Sequence, residues 1–127
     1  MRNFRELNIW KDSLLLAREI YKLTKGLPTE EKFGLVSQIN RAAVSIPSNT
    51  AEGCSRSSDK DFKRFLELAL GSAYELETQL ILMNDVYANL NGQDQIPRLN
   101  SLQKSINAFI QSLKTRLSNP KTQPLKP

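Results

Sequence analysis

The sequence predicts an all-α protein, an antiparallel up-down-up-down four-helix bundle with helix two kinked near Pro47. Four segments repeat apolar residues at the three-four spacing that lines one helix face, and none shows the period of two of a half-buried strand. The connections are short, which favours antiparallel neighbours. A chain of 127 residues can bury one modest core, so a single domain is expected over residues 1–119. The closing stretch NPKTQPLKP has little to bury, and residues 120–127 are expected to be a flexible basic tail.

The first helix carries Leu7, Trp10, Leu14, Ala17 and Tyr21 at helical spacing, which predicts that Trp10 and Tyr21 face the core. Gly26 and Pro28 punctuate the chain, and Thr29-Glu30-Glu31 brings acid to the start of the second helix, where it favours the dipole. Taking residues 33–53 as that helix, Leu35, Ile39, Ala42, Ala43, Ile46 and Thr50 form its core arc. Pro47 removes the bond its missing N–H would make to Ala43 and crowds the turn, hence the predicted kink.

The third helix has the clearest period, running through Phe62, Leu66, Ala69, Ala73, Leu76, Leu80, Met83, Tyr87 and Leu90. Ser58, with Asp61 three residues later, reads as its cap, and this helix is expected to be the longest. NGQDQIP supplies a turn, and Leu99, Leu102, Ile106, Phe109, Leu113 and Leu117 make a fourth amphipathic helix.

Composition narrows the function. Histidine is absent, which removes the usual general base near neutral pH and the commonest metal ligand. Cys54 is the only cysteine, so no zinc site, no internal disulfide and no activated thiol is expected, and no cofactor is implied. The longest apolar runs fall far short of the roughly 20 residues of a membrane span, and the N-terminus lacks the apolar block of a signal peptide. A cytoplasmic protein is expected. The net charge of +5 is uneven: Arg98 to Pro127 holds six Lys or Arg and no acid. That is the electrostatic footprint of a protein that meets phosphate, and equally that of a solvated basic face.

On the second helix, Gln38, Arg41, Ser45, Asn49 and Glu52 fall within a stripe roughly 80° wide. The remaining face, with Val44, Pro47, Ser48 and Ala51, bears no charge, so this helix is expected to be covered on more than one side, in part by another copy. The third helix offers a matching outer row of Leu68, Ser72, Glu75, Gln79, Leu82 and Val86, with Gly71 small enough for close approach. A hairpin of the two helices brings Arg41 near Glu75 as candidates for an ion pair. The cluster is read as a polar seam fixing register or assembly in preference to a catalytic site. Lys60, Lys63 and Arg64 alternate with Asp59 and Asp61, the pattern of a solvated face.

The strings NIWKDSLLLAREIYKLTKGLPTEEKFGLVSQINRAAVSIPSNTAEG and SSDKDFKRFLELALGSAYELETQL resemble the four-helix bundle proteins linked to intervening sequences of bacterial 23S ribosomal RNA. The most specific part spans residues 38–53, and Thr50 and Cys54 depart from the family's usual isoleucine and small residue. The resemblance implies a bundle commonly assembled as a homopentamer, an association with RNA and no established enzymatic activity. The accessory protein of diversity-generating retroelements is similar in fold, and binds a reverse transcriptase and nucleic acid. Three functions compete: a noncatalytic oligomer that holds RNA or DNA by its phosphates, a protein-binding scaffold, and, last, an enzyme using Glu52 or Glu75 with Arg41. The expected phosphate contacts are Lys104, Lys114, Arg116 and Lys121, with Lys63 and Arg64 next.

Overall fold

A computed structural model describes residues 2–119. Four α-helices make up the described chain: α1 (Asn8–Thr24), α2 (Leu35–Cys54), α3 (Asp59–Val86) and α4 (Gln95–Ser118). Short 3₁₀ turns at Phe4–Glu6 and Thr29–Glu31 precede α1 and α2. Helices adjacent in sequence pack together, and α1 also meets α4, which arranges the four as a square. Residue pairs across the α2–α3 and α3–α4 contacts run in opposite directions. Gly53 faces Phe62 while Arg41 and Ser45 share a groove with Glu75, and Gln103 bonds to Ala73 while Phe109 meets Phe62.

Local interactions fix several of the helix starts. Ser58 Oγ accepts the Asp61 N–H at 3.1 Å, satisfying one of the orphan donors of α3, which is the longest helix. The acid expected at the start of α2 arrives indirectly: Thr29–Glu31 forms its own turn, from which Glu31 Oε1 accepts the Leu35 N–H at 3.4 Å. Its other oxygen accepts from the Tyr87 hydroxyl, so one carboxylate joins the start of α2 to the end of α3. Pro97 lies in the first turn of α4, where the missing N–H leaves no bond unmade. In α2 the chain continues through Pro47 as one helix, so the proline does not divide it into two pieces.

The core is one continuous cluster. Phe62, Leu66, Leu76, Leu80 and Met83 of α3 meet Ile39 and Ile46 of α2, Leu99 and Ile106 of α4, and Leu16 and Ile20 of α1. Of the stripe expected of α3, Phe62 to Met83 is buried while Tyr87 and Leu90 lie past the helix end and are partly buried. Five of the six core positions expected of α2 are buried, Leu35 being partly so.

The face of α1 is a correction. Ile9, Ser13, Leu16, Ala17, Ile20 and Thr24 are buried, whereas Trp10 and Leu14 are half-buried and Tyr21 is 44% exposed. This helix is apolar over much of its circumference, so the three-four rule fits two neighbouring stripes. The buried stripe tolerates Ser13 and Thr24 because the Ser13 hydroxyl donates to the Trp10 carbonyl, and the single Thr24 hydroxyl proton has the Tyr21 carbonyl and Asn40 Oδ1 both within reach. Trp10 and Tyr21 carry polar groups that favour the wet rim.

Candidate functional site

The polar stripe of α2 is spent partly on its own backbone. Ser45 Oγ donates to the Ala42 carbonyl at 3.1 Å, and Asn49 Nδ2 donates to the Ser45 carbonyl at 2.8 Å. A groove of about 370 Å³ between α2 and α3 is lined by Gln38, Arg41, Ala42, Ser45, Glu75 and Gln79. The hairpin therefore brings together Gln38, Arg41, Ser45 and Glu75 as the sequence suggested. It does not bring in Asn49 or Glu52, and Glu52 lies 3.5 Å from Arg56, which follows the end of the helix.

The candidate ion pair of the seam is corrected. Arg41 and Glu75 share the groove but form no ion pair among the described residues, and Gln38, Arg41, Glu52 and Glu75 are exposed, so a single copy does not bury the seam. Exposed pairs gain only about 0–1 kcal/mol in water, too little to hold two long side chains in one geometry. Gln79, from the outer row expected of the third helix, also lines the groove, and its Oε1 is buried without a donor among the described residues.

The basic candidates divide into engaged and open groups. Lys63 Nζ lies 3.2 Å from Glu67, the Arg64 guanidinium sits 4.6 Å from the Phe65 ring centre, and Arg116 Nε lies 3.2 Å from Asp59. Arg2 holds the other Asp59 oxygen at 2.7 Å, so that one carboxylate offsets two cations. Lys104 and Lys114 are exposed and have no ion-pair partner among the described residues. Lys121 lies outside the described residues, as does the expected tail. Lys104 borders a groove of about 440 Å³ between α3 and α4 with Tyr74, Glu77, Asn100, Gln103 and Asn107, residues that periodicity did not single out.

Cys54 is buried, and burial pushes its thiol above the ordinary value against the opposing charge of Arg2. Among the described residues no group of His, Cys, Asp or Glu is arranged to hold a metal ion, and no helix is long and apolar enough to cross a membrane.

Residues 5–112 match the family model of the 23S rRNA-intervening sequence protein. The chain belongs to this family. Within the 23S rRNA-intervening sequence family match lie both grooves, with Lys63, Arg64 and Lys104, while Lys114, Arg116 and Lys121 fall beyond its last matched residue. A similar solved structure is that of a protein of unknown function from the S23 ribosomal protein family of Bacteroides thetaiotaomicron. It shares 28% identity at a TM-score of 0.63, over 83% of this chain and 96% of that one. No curated protein matches the chain.

Proposed function

We propose that this chain is a noncatalytic subunit of a homo-oligomer that binds RNA in the cytoplasm through phosphate contacts on its basic surfaces. The observation that carries the reading is the charge segregation: residues 98–127 hold six Lys or Arg and no acid, and Lys104 and Lys114 stand exposed without ion pairs. Membership in a family named for an rRNA intervening sequence favours RNA over DNA. Against catalysis stand the absence of histidine and the turning of Glu52 toward Arg56, away from Arg41.

Such binding weakens with salt. With about four phosphates contacted on a single strand, affinity is expected to fall roughly fifty-fold between 50 and 200 mM salt. Fluorescence anisotropy with labelled RNA measures it, and a flat salt response, or no binding at the lower salt, overturns the reading.

Self-association draws on the groove between α2 and α3, where, among the described residues, Gln79 Oε1 has no donor and Arg41 and Glu75 have no ion-pair partner. A neighbouring copy would supply those partners, and the family resemblance favours five copies. Arg41→Ala is expected to lower the mass measured by light scattering on a sizing column. An unchanged mass for a variant that melts like the parent would remove the seam from the interface.

Exposed apolar surface favours a second reading, a scaffold or accessory subunit for another protein such as a reverse transcriptase. Leu68, Ile81, Leu82 and Val86 of α3 are exposed, and Leu14, Ala17, Tyr21 and Val44 line an apolar groove between α1 and α2. A protein that copurifies and stays bound after nuclease treatment would support it.

A further inference from the structure

The groove between α3 and α4 has the chemistry of a site for a single unpaired base. Tyr74 projects from α3 with 53% of its surface exposed and no ring or cation partner among the described residues. An exposed aromatic ring beside a lysine is the pairing that single-stranded nucleic acid uses, the ring stacking a base and the cation meeting a phosphate. Here the cation is Lys104.

The polar groups around Tyr74 are fixed by their own hydrogen bonds. Gln103, nearly buried, donates through Nε2 to the Ala73 carbonyl at 3.3 Å and to Glu77 Oε1 at 2.9 Å, and its Oε1 accepts from Asn100 Nδ2 at 3.0 Å. That leaves Glu77 Oε2 and Asn100 Oδ1 as acceptors without protein donors among the described residues. On the far side, Asn107 Oδ1 accepts from Gln111, which leaves Asn107 Nδ2 as a donor. The order of groups is acceptor, cation and donor.

We propose that this groove binds one unpaired nucleotide of RNA whose base carries an exocyclic amino group, with cytosine the pyrimidine that fits. Its N4 amino group donates to Glu77 or Asn100, its ring nitrogen and O2 accept from the Asn107 and Lys104 side, and its face stacks on Tyr74. Uracil presents O4 where cytosine presents the amino group, and a carboxylate repels a carbonyl oxygen. The same carboxylate keeps phosphate out of the groove floor and leaves it to Lys104. The volume, about 440 Å³, lies in the range of small-ligand sites.

The inference rests on the RNA reading above and is tested with labelled twelve-nucleotide oligocytidylate and oligouridylate near neutral pH. The parent protein is expected to bind oligocytidylate about tenfold more tightly. Tyr74→Ala should lose roughly tenfold on oligocytidylate, Tyr74→Phe should keep the affinity, and Glu77→Gln should abolish the preference while the salt slope stays the same. Tyr74 is exposed, so the Ala variant is expected to melt like the parent. Salt-dependent binding that is equal for the two oligomers, or unchanged in Tyr74→Ala, overturns this site and leaves the RNA reading standing. Absence of binding by the parent protein overturns both.

Discussion

Phe62→Ala is expected to lower the unfolding free energy by about 3–5 kcal/mol, the range for truncating a fully buried aromatic side chain. Phe62 has no exposed surface and connects three parts of the chain. Its ring meets Phe109 of α4 edge to face at 5.3 Å, lies against Gly53 of α2, and carries the Arg2 guanidinium 4.2 Å above its centre. The aromatic pair alone is worth about 0.5–1.5 kcal/mol beyond its buried area. Residues on three elements would line the resulting cavity, so no single side-chain shift can fill it. Urea denaturation at fixed protein concentration measures the loss, since the stability of an assembling protein depends on concentration. A loss below about 1 kcal/mol would mean that this end of the bundle collapses around the gap.

Gly53→Ala tests how closely α2 and α3 approach. In an open helix, alanine would gain about 1 kcal/mol in propensity over glycine. At Gly53 the added Cβ would lie 2.8 Å from Phe65 Cβ and 3.0 Å from Phe62 Cδ1. The Phe65 Cβ is fixed to the α3 backbone and cannot swing aside, so the helices themselves must separate. Overpacking of that kind costs about 1–3 kcal/mol and offsets the propensity gain, for an expected net loss of up to about 2 kcal/mol. Gly71 is the control, because among the described residues nothing outside its own stretch of helix lies within 4 Å of a Cβ placed there. Gly71→Ala should stabilise by about 0.5–1 kcal/mol. Were Gly53→Ala to stabilise as much as Gly71→Ala, the close approach at Gly53 would be disproved. A weaker assembly in Gly71→Ala would show that another copy packs against Gly71.

Helix α3 was legible from sequence because its three-four apolar repeat runs unbroken from Phe62 to Met83, even though Leu68, Ile81, Leu82 and Val86 face outward. Helix α1 was not, because Leu14, Leu15 and Leu16 in succession satisfy more than one face and only the neighbouring helices decide among them. The meeting of Arg41 with Glu75 across a groove followed from the hairpin, whose two arms have a common register. The direction of Glu52 did not, since Arg56, four residues on and just past the end of the helix, competes with a partner across the seam. Tyr74 and Asn100 were beyond the reach of periodicity, which marks buried positions and says nothing about which outward residues of two helices will share a groove.

Asp59 receives Arg2, from before α1, and Arg116, from the last turn of α4, at the start of α3. An even number of antiparallel helices returns the chain to the end from which it set out, and this shared carboxylate marks the meeting point. The connectivity is thus that of a nearly closed circuit of four rods. Three of its corners are loops of the chain, and the fourth is bridged by charge.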